Sequence, residues 1–236
     1  MEFSIPSPAN SIMERMAPVI LELCPGEKIV LGGGTALAAR WQHRRSTDID
    51  LFMEAADFQE LYGKLETSLN KATGLLTWHD GPGWCRGSFA EGEFSIATTP
   101  PLINRDQAEG RDVDGKWGIT LEYPDEILAK KLRLRIYGNG EFVVRDCYDL
   151  VTAAEEYPDV LECALGILTE RQRVEIAAEM RSRNMVGMLE GRTLDTPHHP
   201  EWIHDLSLRT AEIVEHGPPA ITEPEAGPQS PPSLGM

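Results

Sequence analysis

Cysteine is scarce and unpatterned in this 236-residue chain: its four thiols, Cys24, Cys85, Cys147 and Cys163, form no Cys-x-x-Cys pair. That argues against a structural zinc site and a disulfide framework, and leaves buried free thiols as the expected state. Long apolar runs are missing too. No stretch approaches the roughly eighteen apolar residues of a membrane span, and the N-terminus has no basic region leading into an apolar one. The sequence therefore predicts a cytoplasmic protein with no membrane partner. Positive charge is in deficit: 22 Lys and Arg stand against 38 Asp and Glu, for a formal charge of -16. Such a surface repels a phosphate backbone overall, so contact with nucleic acid needs a local basic patch, and the acidic excess equally suits a basic partner protein. His198 and His199, ahead of Pro200, have no cysteine or acidic neighbours at ligand spacing, so a metal role for them is not expected.

What the chain does have is concentrated between Lys28 and Phe52. An apolar strand, Lys28 to Leu31, leads into Gly32, Gly33 and Gly34, and a helix of good formers is predicted from Thr35. Glycines let the backbone approach a ligand, and the first turn of a helix presents unpaired N–H groups to an anion such as phosphate. Downstream, Asp48 and Asp50 flank Ile49, directly after Ser46 and Thr47. In an extended segment, residues i and i+2 share a face, so both carboxylates project together while Ile49 and Leu51 point into a core. Paired carboxylates on a rigid floor suit a hard cation shared with a nucleotide's phosphates. A glycine triplet alone is usually a turn, and Asp-x-Asp alone is common on a wet strand face. Their order and proximity carry the joint reading.

The run Gly33-Gly-Thr-Ala-Leu37, then Arg45-Ser-Thr-Asp-Ile-Asp-Leu51, resembles the first motif of AbiEii/AbiGii-type nucleotidyltransferases, a branch of the polymerase-beta-like superfamily that includes toxins of toxin-antitoxin systems. Leu128-Ala-Lys-Lys-Leu132 resembles the family's helical lysine motif, and Arg145-Asp-Cys-Tyr-Asp149-Leu150 its later Arg-Asp-x-x-Asp motif. Order and spacing agree over roughly residues 28 to 155. The resemblance implies an α+β fold, with a mixed β-sheet core, flanking helices and a C-terminal α-helical domain. It implies Mg2+ as cofactor, a nucleoside triphosphate as donor, a tRNA-like RNA or a protein side chain as acceptor, and an antitoxin protein as partner.

Periodicity adds organisation. Helices are expected from about Asn10 to Leu23, with Pro18 making the middle uncertain, and from Ala56 to Ala72, where Phe58, Leu61, Leu65 and Leu69 recur at helical spacing. Leu75 to His79, Gly87 to Phe89, Glu93 to Thr98 and Gly118 to Tyr123 read as short strands, with a long loop at Asn104 to Lys116 that is either a substrate-contacting flap or exposed decoration. From Pro124 the chain reads as helical: a first helix ended by Gly138-Asn-Gly140, then Arg145 to Tyr157, Pro158 to Gly166, Thr169 to Arg183 and Glu201 to Glu215. The expected division is a core over residues 1–123, a helical domain over 124–216, and a disordered proline-rich tail over 217–236.

In a nucleotidyl transfer a hydroxyl attacks the α-phosphorus of a nucleoside triphosphate and pyrophosphate leaves. The expected metal ligands are Asp48 and Asp50, with Gly33, Gly34 and Thr35 cradling the triphosphate and Arg45 and Ser46 beside it. Lys131 is expected to bring a mobile positive charge to the phosphates, supported by Arg133 or Arg135. Asp146 has three open readings: a base, a group that orients Lys131, or a cap for the helix it opens. Basic clusters at Arg40, His43, Arg44 and Arg45, and around Lys130, Lys131, Arg133, Arg135 and Arg145, are the candidate patches for nucleic acid, though solvated helix faces balanced by acids would look the same. Many superfamily members take a third carboxylate from a later strand. Here that strand offers only Glu93, so turnover is less firmly expected than metal–nucleotide binding. A non-catalytic nucleotide-binding regulator and an acidic protein-interaction module stay open as alternatives.

Overall fold

The computed structural model describes residue 3 and residues 5–104, 112–182, 185, 188 and 194–219, excepting the side chains of residues 72 and 73. Most of the expected flap and the tail from residue 220 onward lie outside the described residues.

The protein is α+β, built on a six-stranded mixed sheet. Helix α1 (Ala9–Leu23) is followed by a 3-10 turn (Gly26–Lys28), strand β1 (Val30–Gly32), helix α2 (Gly33–Trp41), strand β2 (Ile49–Phe52) and helix α3 (Ala55–Thr73). Strands β3 (Thr77–Gly81), β4 (Trp84–Phe89) and β5 (Gly92–Ala97) form an antiparallel meander. Strand β6 (Thr120–Leu121) closes the sheet, whose order is β3-β4-β5-β2-β1-β6. β2 runs parallel to β5 and antiparallel to β1, and β1 runs parallel to β6. The acid-bearing strand is therefore central. It alternates as the sequence predicts, with Ile49 and Leu51 fully buried and Asp50 only partly so.

Helices α1 and α3 pack against each other, and α1 reaches β2 and β5. Pro18 does not interrupt α1. It lies on the exposed side, where the missing N–H deprives one carbonyl of a partner that water can replace, while Ile12, Met16 and Val19 hold the buried face. β6 is shorter than expected because only Thr120 and Leu121 pair with β1. Helix α2 begins two residues earlier than its composition predicts, at Gly33.

The C-terminal elements are α4 (Pro124–Lys130), α5 (Val144–Glu156), α6 (Pro158–Leu165), α7 (Glu170–Met180), a 3-10 turn (Pro200–Ile203) and α8 (Leu206–His216). Thr169 and Gln172 form a reciprocal capping box that starts α7. α4 does not run on as an α-helix to Gly138: it widens into a π-helical segment, Lys131–Gly138. α5 packs on α6 and α8, α4 on α6, and α2 touches both α4 and α5. Through α2 the helices reach the glycine turn. No helix among the described residues is long and apolar enough to cross a membrane.

Candidate nucleotidyl-transfer site

Helix α2 and strand β2 are tied together just above the acid pair. Thr35, buried in the first turn of α2, is hydrogen-bonded through Oγ1 to Ser46 Oγ at 2.8 Å and to the Asp48 carbonyl oxygen. Gly33 has a positive φ of 62°. A methyl group added there would collide with the Asp50 carboxylate, and one at Gly34 with the Arg44 guanidinium. The glycines thus admit both a left-handed turn and the close approach of two functional side chains.

Asp48 and Asp50 face one cavity of about 260 Å³. Asp50 Oδ1 accepts a hydrogen bond from Ser95 Oγ at 2.8 Å, across the β2–β5 register that pairs these residues. Asp48 Oδ2 accepts from Arg145 Nη1 at 2.8 Å, and its Oδ1 from Thr47 Oγ1 at 3.1 Å. The position beside Asp50 where a third acid is sought is therefore serine. Glu93, two residues upstream on the same side of β5, is exposed and lines the cavity wall.

Behind the cavity lies a buried ion network. Asp149 is fully buried and receives Arg44 as a two-pronged pair, Nε to Oδ1 at 2.6 Å and Nη2 to Oδ2 at 2.9 Å. His43 Nε2 lies 2.7 Å from the same Oδ1, and Lys131 Nζ 3.1 Å from Oδ2. Lys131 also pairs with Asp146, whose Oδ2 accepts from Arg135 Nη1 at 2.7 Å. Burial pushes both carboxyls up, but neighbouring cations outweigh it. Arg44 and Lys131 hold Asp149 well below the usual carboxylate range, and Lys131 and Arg135 lower Asp146.

This geometry revises several expectations. Lys131, expected as a mobile charge, is held between two carboxylates and is 5% exposed. Asp146 pairs with both Lys131 and Arg135, the contacts its orienting reading calls for. Arg135 lines the cavity, whereas the Arg133 guanidinium lies over the Tyr137 ring, 5.2 Å from its centroid. Gly34 and Ser46 line the cavity too. Arg45 faces a second, adjoining one. The expected basic patches are largely internal: Arg40 is engaged with the Glu122 carbonyl and Asp112, and Lys130 with Glu122 at 2.5 Å. The sequence alone assigns no separate role to Arg86 or Arg145, which line the cavity, or to Asp149 behind it. Asp149 could have been placed by its i+3 spacing from Asp146, which puts both on one helix face. Arg86 comes from β4 and is joined to the site only by sheet pairing, with no local signal.

Asp48 and Asp50 supply hard carboxylate oxygens of the kind Mg2+ takes. Among the described residues, no group of three His, Cys, Asp or Glu side chains is placed to hold a metal. The donor chemistry of the pair fits a hard divalent cation.

A parallel pair of strands lies at the sheet centre, with Asp50 on one of them, Asp48 just before it and a glycine turn opening α2 beside both. Residues 25–83 match the family model described as "Nucleotidyl transferase AbiEii toxin, Type IV TA system", so over this segment the chain is similar to that family. The lysine and Arg-Asp motifs lie beyond the matched segment. The fold is similar to that of a candidate nucleotidyltransferase from H. pylori, at 15% identity over 89% of this chain and 96% of that one, with a TM-score of 0.52. It is also similar to JHP933 from Helicobacter pylori, at 16% identity over 90% and 94% of the two chains, with a TM-score of 0.53. At these identities the likeness concerns the fold. No curated protein matches the sequence.

Proposed function

We propose that the cavity at Asp48 and Asp50 transfers a nucleoside monophosphate from a nucleoside triphosphate to an RNA, tRNA-like in the leading reading, or to a protein side chain. The observation that carries this reading is the placement of both carboxylates on one cavity beside Gly34, at the opening turn of α2. Asp48 and Asp50 would hold Mg2+, which supplies charge neutralisation on the phosphates and acidifies the attacking hydroxyl.

The chain's own groups do the rest. The opening turn of α2 and the Arg44 guanidinium receive the triphosphate, and Ser46 lines its path. Arg145, half-exposed, exchanges Asp48 for a phosphate oxygen as the nucleotide enters. Lys131 and Arg135 act from the wall, fixed by Asp146 and Asp149 rather than moving. The acceptor oxygen bonds to the α-phosphorus, the bond to the bridging oxygen breaks, pyrophosphate leaves and the hydroxyl proton passes to solvent. In this reading residues 1–123 form the transfer core and residues 124–216 a helical domain that lends Lys131, Arg135 and Asp146. The matched family's description as a toxin of a TA system supports an antitoxin as a functional counterpart, and an antitoxin that bound this chain directly would be favoured by a basic surface, given the net charge of -16.

The test uses triphosphates labelled at the α- or the γ-phosphate, with Mg2+, total RNA and protein extract. Stable α-label on RNA or protein, with none from γ-label, supports the reading. Nucleotide binding without transfer to either supports the regulator instead.

A further inference from the structure

The first cavity, at about 260 Å³, falls short of the roughly 300–1,000 Å³ typical of sites that enclose a drug-sized ligand. A second cavity of about 430 Å³ adjoins it, and the two share Arg44, Ser46 and Arg145. Their chemistry differs. The first is walled by carboxylates and cations. The second adds Phe142, Val143 and Val144 from the turn that opens α5, together with Leu194, all half-buried. Its wall is fixed by backbone pairing. Arg45 N–H donates to the Asp195 carbonyl at 3.1 Å, and His198 N–H to the His43 carbonyl at 2.7 Å, which lays residues 195–198 along the loop before the acid pair. Arg45 and Arg145 stand half-exposed at its rim.

A partly apolar slot with an aromatic ring and three arginines, Arg44, Arg45 and Arg145, opening directly onto the proposed phosphate-and-metal site, matches one ligand chemistry: a flat heterocycle attached to a phosphate chain. We propose that the second cavity is the subsite for the base and ribose of the donor nucleoside triphosphate, with Phe142 as the stacking surface and Arg145 at the junction. This rests on the transfer reading of the first cavity and assigns the half of the nucleotide that cavity leaves outside.

The test measures, by calorimetry with Mg2+, binding of ATP, GTP, CTP, UTP and inorganic tripolyphosphate to the full chain. The expected result is that at least one triphosphate binds more tightly than tripolyphosphate. Phe142→Ala should weaken that triphosphate by about 5- to 150-fold, the range for losing one aromatic–base stack, with tripolyphosphate unchanged. Because Phe142 also touches the core, Leu194→Trp provides a second variant that fills the slot without removing the ring. It should give the same selective loss. Triphosphate affinity that survives both variants overturns the subsite alone. Unchanged triphosphate affinity with lost transfer to RNA assigns the slot to the acceptor and overturns the donor assignment. Failure of the wild type to bind either triphosphate or tripolyphosphate overturns the transfer reading, and the subsite with it.

Discussion

Asp149 carries four contacts from three cationic or ionisable partners, Arg44, His43 and Lys131, with no exposure to water. Removing one side of a buried ion pair leaves the other charges uncompensated, so Asp149→Ala is expected to cost about 3–5 kcal/mol, read as a lowered urea midpoint. The sign of the pH dependence follows from the depressed carboxyls. Asp146 and Asp149 lie below the usual range in the folded state, so their contribution is full at neutral pH. It is lost as pH falls below the ordinary aspartate value of about 3.9 toward their folded values. Unfolding midpoints measured from pH 7 to pH 3 should hold nearly level and then drop below about pH 4, and Asp149→Ala should flatten that drop. The sequence marked Lys131 and Asp146 as neighbours in function, but it could not show that Lys131 is buried against a second carboxylate, Asp149, or that residues 131–138 wind as a π-helix, which composition does not signal.

At the scale of elements, the junction between α2 and β2 decides the site. Its ingredients were legible: the glycine turn, the alternation around Ile49 and the acid pair all follow from local rules. Less legible was the cross-link through Thr35, which joins residues eleven and thirteen positions apart. Thr35→Val keeps the shape and removes both hydrogen bonds, so it should lower stability by about 1–3 kcal/mol. It should also reduce transfer more than the stability loss explains, measured as activity per folded molecule. Gly32 makes a separate demand. A methyl group there would run into the Glu122 carboxylate and the Phe52 ring, so Gly32→Ala is expected to cost about 1–3 kcal/mol in a thermal melt. The strand ends were misjudged by one to three residues, because β-pairing partners, and not local composition, set where β3, β4 and β6 start and stop.

For the whole molecule, the net charge of -16 and the proposed phosphate-binding role are reconciled at the cavity. Its wall carries five cationic side chains, Arg44, Arg86, Lys131, Arg135 and Arg145, against three carboxylates, Asp48, Asp50 and Glu93. Asp146 and Asp149, set just behind, offset the buried cations and fix their positions. The site is therefore suited to a small polyanion that brings a metal with it, while long-range repulsion opposes a large one. Chelation should consequently abolish triphosphate binding, not merely turnover, and transfer to RNA should rise with moderate salt as repulsion is screened. The most direct measurement of the central claim is transfer of α-phosphate label from a nucleoside triphosphate to acceptor, comparing wild type with Asp48→Asn and Asp50→Asn at matched thermal stability. Loss of a direct metal ligand should reduce transfer by about 100-fold or more, the upper end of what outer-shell changes cost. Transfer within a few-fold of wild type in both folded variants would contradict the assignment of this cavity as the nucleotidyl-transfer site.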